Sequence, residues 1–167
     1  MNTMSSDSER FFDNKIYSKA AYAFLIFITD YYKRINEYGL DADEMMVVQT
    51  VVAQYTYKIN SNNPKSYEDM KKLSNEEIQK SFQGSKLSIL SIAEILGQPK
   101  ESVRRRVQKL IDYQLLAKDE NGGIILCENY SRVIESFTSG TNKTFTKLLH
   151  SLNDMGALDL LLKDRQG

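Results

Sequence analysis

Between residues 14 and 38, apolar and aromatic side chains recur on nearly every face of a helical wheel: Ile16, Tyr17, Ala20, Ala21, Phe24, Leu25, Phe27, Ile28, Tyr31, Tyr32 and Ile35. A helix so apolar all round is expected to be covered on more than one side, within a core and against a second subunit. Gly39 ends it. The stretch "LDADEMM" then opens a second helix, with Asp41 as cap, Glu44 completing a capping box and Leu40 placed to staple onto Met45. This helix runs through Met46, Val47, Thr50, Val51 and Gln54 to about Tyr57. Its β-branched residues favour strand, but the cap and the length favour helix.

The pattern turns polar from residue 60 to 84, where Asn63-Pro64 and serines favour turns and Ser74 with Glu77 predicts a short surface helix over 75–82. Farther on, "AKDENGGIILCENY" predicts the only hairpin. Asn121-Gly122-Gly123 would supply the positive-φ residues of a tight turn between strands Leu115–Asp119 and Ile124–Glu128. After "SRVIESF" a helix is expected from about Asn142, its apolar face made by Phe145, Leu148, Leu149, Leu152, Leu158, Leu161 and Leu162 and continuing past Gly156.

The segment "SIAEILGQPKESVRRRVQKLIDYQLL", Ser91 to Leu116, reads as two helices joined by a turn. Ile92, Ala93 and Leu96 form the inner face of the first, with Ala93 small enough for close helix crossing. Gly97 stands where the chain must turn through a conformation that a Cβ resists. Pro99 suits the first position of the next helix and Glu101 its first turn. Val103, Val107, Leu110 and Ile111 share one face, which places Arg105 almost opposite the core, flanked by Glu101, Gln108 and Lys109. Lys100 and Arg104 lie on one shoulder, Ser102 and Arg106 on the other.

Charge matters only locally. The 167 residues carry 22 basic and 22 acidic side chains, so no overall field draws the chain to nucleic acid or anionic membrane. Yet Lys100, Arg104, Arg105, Arg106, Lys109 and Lys118 face only Glu101, Asp112 and, just beyond, Asp119. A second helix that presents Arg and Lys in its N-terminal half suits the major groove, where Arg donates two bonds to guanine and other cations meet phosphates. The competing readings are an ordinary solvated helix face and a module that binds protein rather than DNA.

On these residues, "IAEILGQPKESVRRRVQKLIDYQLLAKDENGGIIL" resembles the winged helix-turn-helix of bacterial transcription regulators, and the long helices on either side make the chain most similar to the MarR-like family. The resemblance covers Leu87 to Glu128, about a quarter of the chain. It implies a mainly α fold: a winged helix-turn-helix, that is a three-helix core plus a β-hairpin wing, flanked by long N- and C-terminal dimerisation helices. The organisation expected is 1–60 for N-terminal helices, 61–86 for a polar connection, 87–128 for the winged module and 129–167 for C-terminal helices. The partners implied are double-stranded DNA and a second copy of the chain, with an apolar small-molecule effector accommodated between dimer helices and winged module.

Within that reading, Lys100, Arg104 and Arg105 are the candidates for base-edge and phosphate contacts. Gln98 and Ser102 would add hydrogen bonds at the helix start, and Lys109 and Lys118 would neutralise the DNA backbone. Two positions depart from the family pattern. Arg106 stands where an apolar residue is usual, so it must reach solvent or pair with an acid such as Glu94. The hairpin "KDENGG" is short and acidic where such wings commonly carry arginine for the minor groove.

Other chemistry finds little support. There is no nucleophile elbow, no glycine-rich phosphate loop after a strand and no metal-ligand cluster, so neither an enzyme nor a cofactor is expected. Cys127 is the only cysteine and reads as a small buried hydrophobe; His150, the only histidine, reads as packed or partly exposed. The longest uncharged apolar run, Ala20 to Thr29, is far short of the ~20 residues that span a bilayer. A cytoplasmic protein without a membrane anchor is the expectation.

Overall fold

The structure, a computed structural model, describes residues 15–61, 64–73, 76, 77, 80, 87–127 and 130–163. It is mainly helical with one small antiparallel sheet. The helices are α1 (Tyr17–Glu37), α2 (Ala42–Asn60), α3 (Tyr67–Lys71), α4 (Ile89–Leu96), α5 (Lys100–Asp112), α6 (Tyr130–Asp154) and α7 (Ala157–Lys163); strands β1 (Leu116–Lys118) and β2 (Ile124–Leu126) lie between α5 and α6. The chain forms two compact units, one of residues Tyr38–Glu135 and one of the described parts of Met1–Glu37 and Ser136–Gly167.

In the Tyr38–Glu135 unit, α2 begins as its sequence requires. The Asp41 side chain accepts from the Glu44 N–H (2.7 Å), and the Glu44 carboxylate accepts from the Asp41 N–H (3.0 Å), a complete capping box. Leu40 and Met45 are both buried beside it. Val47, Val48 and Val51 are fully buried, and their burial overrides the modest helix propensity of β-branched residues. They share the core with Ile92 and Ala93 of α4 and with Val103, Val107 and Leu110 of α5; α2, α4 and α5 pack pairwise. Ile111 is only partly buried, so the core stripe of α5 is narrower than its apolar pattern suggests.

Two left-handed residues set the direction of α5. Gly97, at φ 61°, closes α4, with its N–H donating to Glu94 O (3.3 Å) and the Gln98 N–H donating to Ala93 O (3.0 Å). This bond pair is a Schellman motif. Pro99 caps α5 from outside rather than occupying its first turn. At the other end Gln114 takes φ 58°, and the bonds Gln114 N–H to Ile111 O (2.8 Å) and Leu115 N–H to Leu110 O (2.9 Å) repeat the motif. The helix therefore stops at Asp112, short of the expected Leu116, which instead begins β1.

The hairpin pairs Leu116 with Leu126, Ala117 with Ile125 and Lys118 with Ile124. Its strands are shorter than predicted, and Glu128 lies outside the described residues. Only Gly122 has positive φ in the loop, not Asn121 or Gly123. Asp119 organises it: its carboxylate accepts from the N–H groups of Asn121 (2.9 Å) and Gly123 (2.6 Å), while its own N–H donates to Gly123 O (2.9 Å). This is a three-residue loop with one left-handed glycine. All of β2 is buried, and the Ile124 N–H donates to Leu87 O (2.8 Å), tying the segment before α4 to the hairpin.

In the polar interval, α3 was not anticipated; Ser66 and Asp69 form its capping box. Of the helix expected over 75–82, Glu76, Glu77 and Lys80 are helical and the remaining positions lie outside the described residues.

In the other unit, α6 continues unbroken through Gly140 rather than starting near Asn142, and the chain turns at Gly156 (φ 75°) before α7. Phe27 meets Phe145 at 5.7 Å between ring centroids, and Tyr31 meets Phe137 at 5.5 Å edge to face. Ala20 and Ala157 are buried together, with Ile16, Leu152, Met155 and Leu160 packed around them. Along α1 only Ala20 and Ile35 are fully buried, whereas Tyr22, Leu25, Ile26 and Tyr32, which share one face, are exposed in the single chain.

Candidate functional site

The basic residues of α5 separate into two groups, according to whether α2 claims them. On the shoulder facing α2, Arg106 donates through Nη2 to Asp43 Oδ2 and through Nη1 to Gln98 Oε1 (3.1 Å). Gln98 Nε2 in turn donates to Asp43 Oδ1 (2.9 Å), which closes a three-membered ring of side chains linking α2, the turn and α5. The Arg106 side chain is 24% exposed and Asp43 43%. Arg106 thus pairs with an acid, but with Asp43 rather than Glu94. Asp43 and Glu44 lie in the first turn of α2, where the helix dipole already favours negative charge.

One turn farther along α5, Lys109 Nζ lies 2.5 Å from Glu44 Oε1 and 5.4 Å from the centre of the Tyr113 ring. The bond to Glu44 holds the lysine ammonium above its ordinary range. Glu44 is the buried charged residue of the described core, 3% exposed, and its carboxylate serves the capping box and Lys109 at once. Lys109 is therefore a tether between α5 and α2 rather than an outward cation. Gln98, expected at a DNA contact, is likewise engaged within the chain.

The outward side differs. Arg104 donates from Nε and Nη2 to the two carboxylate oxygens of Glu101 (2.9 and 2.6 Å), with both side chains largely exposed. The pairing holds the Glu101 carboxyl below the usual carboxylate range and raises the Arg104 guanidinium. It occupies one edge of the guanidinium and leaves the Nη1 edge to solvent. Lys100, Arg105 and Lys118 are exposed and make no hydrogen bond or ion pair among the described residues. Ser102 is partly buried on the first turn, and Gln108 bonds Asp112 (3.0 Å). Lys118 ends β1 next to the acidic loop of Asp119 and Glu120.

The geometry thus brings Lys100, Arg104 and Arg105 onto one open helical face and withdraws Gln98 and Lys109 from it. Sequence reasoning does not single out Asp43, and it reads Glu44 and Glu101 as helix-start residues rather than as partners of Lys109 and Arg104. Glu101 stood three residues before Arg104, a spacing that signals a helical ion pair; nothing local in the sequence signals the long-range partners Asp43 and Glu44.

Elsewhere in this unit an open groove of about 430 Å³ runs between α2 and α4, lined by Met46, Thr50, Ala53, Ile95 and Leu96 among others. Cys127 is a half-buried free thiol and His150 is exposed on α6. Among the described residues, no group of His, Cys, Asp and Glu side chains is placed to hold a metal, and no helix is long and apolar enough to cross a membrane. Comparison with protein-family models, with curated proteins and with solved structures finds no match to this chain.

Proposed function

We propose that the chain is a cytoplasmic, winged helix-turn-helix regulator of transcription that reads double-stranded DNA as a homodimer, with α5 in the major groove and the β1–β2 hairpin as its wing. The observation that carries this reading is the open face of α5. Lys100, Arg104 and Arg105 project from a helix held rigid at both ends by left-handed turns and buried along its opposite side by Val103, Val107 and Leu110. A preorganised helix with cations on its exposed face suits base edges and phosphates together.

The roles follow from the pairings. Arg105, exposed and without an ion pair among the described residues, is the base-reading candidate, and Arg104 offers its Nη1 edge beside it. Lys100 and Lys118 neutralise phosphates. Pairing of two copies draws on the exposed stripe of Tyr22, Leu25, Ile26 and Tyr32 on α1, with Leu161 and Leu162 on α7. An apolar stripe of this kind marks an association surface. Two α5 helices would then meet successive major-groove segments about 34–36 Å apart on a partly palindromic site.

The test is fluorescence-anisotropy binding to a pool of duplex fragments across salt concentrations, with an Arg104→Ala/Arg105→Ala double variant. Tight, sequence-dependent binding by the wild type that the variant loses is the expected result. Sedimentation velocity at micromolar concentration tests the dimer, and a monomer there would remove the two-half-site arrangement. The second reading, a winged module that binds another protein, draws on the exposed Leu90, Ile95 and Met46 around α4. Absence of binding to every fragment at every salt concentration by a folded protein would favour it.

A further inference from the structure

We infer that Asp43 is a specificity-determining residue that withholds Arg106 from DNA, and so limits the number of phosphates that α5 can neutralise. The inference rests on the DNA-binding reading above and adds a function for an acid that does not itself face the duplex.

Three consecutive arginines on a groove-facing helix carry a liability. Each cation that reaches a phosphate adds affinity for every sequence alike, because release of condensed counterions is blind to the bases. The ratio of specific to non-specific binding is what such a helix must protect. Here the third arginine is removed from that tally. Arg106 has Asp43 on one amino group and Gln98 on another, and Gln98 is itself fixed by Asp43, so one carboxylate immobilises both side chains. For Arg106 to reach a phosphate, its guanidinium would have to leave a partly buried carboxylate and expose it beside a second anion. The exchange of one anion for another gains little, and the stranded Asp43 would repel the DNA.

Glu44 does not play this part, although it holds Lys109 in a parallel contact. Its carboxylate is buried and is also bonded to the Asp41 N–H, so its loss would disturb the start of α2 itself. Asp43 is partly exposed, and no backbone cap depends on it. Substitution by asparagine keeps its shape and removes its charge.

The experiment uses the full chain as wild type, Asp43→Asn, Arg106→Gln and the double variant, binding a short fluorescein-labelled duplex of mixed sequence over a salt series. Asp43→Asn is expected to bind more tightly at low salt, with the slope of log K against log salt steeper by about 0.9, one additional phosphate contact. Between 50 and 200 mM salt its advantage over wild type should shrink about 3.5-fold, as that slope requires. Arg106→Gln alone should keep the wild-type slope, and the double variant should return to it. A purely structural role for Asp43 would move affinity downward and leave the slope unchanged, which overturns the inference. So would a slope lowered by about one unit in Arg106→Gln alone, since Arg106 would then already touch phosphate; this arm decides the matter even where Asp43→Asn fails to fold. A wild type that binds no duplex at any salt concentration refutes the DNA reading and this assignment together, whereas binding with an unchanged Asp43→Asn slope refutes the assignment alone.

Discussion

Replacing Gly97 with alanine tests the turn that aims α5. At φ 61° and ψ 30° the residue is left-handed, and a Cβ built on it meets nothing within 4 Å. Packing therefore contributes nothing, and the effect is that of the backbone alone. Holding an L-residue left-handed costs about 1–2 kcal/mol. Alanine recovers about 0.4–1 kcal/mol of this by restricting the unfolded chain. The expected net loss is about 1 kcal/mol, or about 4–8 °C in Tm for a unit of this size. Gln114 provides the mirror experiment, because it is a non-glycine residue at φ 58° in the matching position at the end of α5. Gln114→Gly should stabilise by up to about 1 kcal/mol, less whatever the interaction made by Gln114 contributes. Equilibrium urea unfolding followed by circular dichroism measures both. A neutral or stabilising Gly97→Ala, or shifts of the same sign in the two variants, would refute the argument that left-handed turns fix the ends of α5.

Four further outcomes are expected. Arg105→Ala should relax sequence preference in duplex binding, measured by anisotropy as a smaller spread of affinity across duplexes of different sequence. Lys109→Ala should leave the salt slope of duplex binding unchanged while lowering the thermal midpoint, because its ammonium is held by Glu44; a flattened slope would return Lys109 to the DNA face. Leu110→Ala, at a fully buried position, should destabilise by about 2–5 kcal/mol in urea unfolding, the transfer loss plus a cavity where α5 meets the core. Tyr55 is pushed up to about 12 by burial and then by the nearby Glu77 charge. The folded state therefore keeps a proton that the unfolded state loses above its ordinary value of 10, and stability falls as pH rises through that window. Ultraviolet titration should show a late tyrosinate step that Tyr55→Phe removes.

What the sequence reveals about this fold is local. The Asp41–Glu44 box, the left-handed Gly97 and the buried stripe of α5 each involve residues within a few positions of one another, and the structure holds all three, with Ile111 only partly buried at the edge of the stripe. The hairpin is legible as a hairpin but not as a loop type. Asp119 turns its carboxylate back onto two N–H groups and fills the space beside Gly123, where a Cβ would lie 2.6 Å from Asp119 Oδ2. Gly123 is thus explained by a neighbour's side chain rather than by its own φ. The helix expected from about Asn142 in fact begins earlier: α6 passes through Gly140, where Arg34 of α1 fills the space a Cβ would need. At the candidate site, the outward direction of Arg105 follows from helical periodicity alone. The withdrawal of Gln98, Arg106 and Lys109 does not, because it depends on which acids of a helix more than fifty residues earlier arrive beside them.

The pairing of Arg106 and Lys109 with the first turn of α2 also shapes how the molecule meets other charges at a distance. In a chain whose 22 acidic and 22 basic groups cancel, these contacts leave the unpaired positive charge of α5 concentrated along one ridge. A ridge of charge on a chain without net charge acts on a remote polyanion only within about one Debye length, ~8 Å at physiological salt. The acceleration of encounter available to strongly charged proteins, roughly 10–10³-fold, is largely forgone. Under the proposed DNA-binding function, discrimination falls after contact, in how long a correctly oriented α5 stays rather than in how fast it arrives.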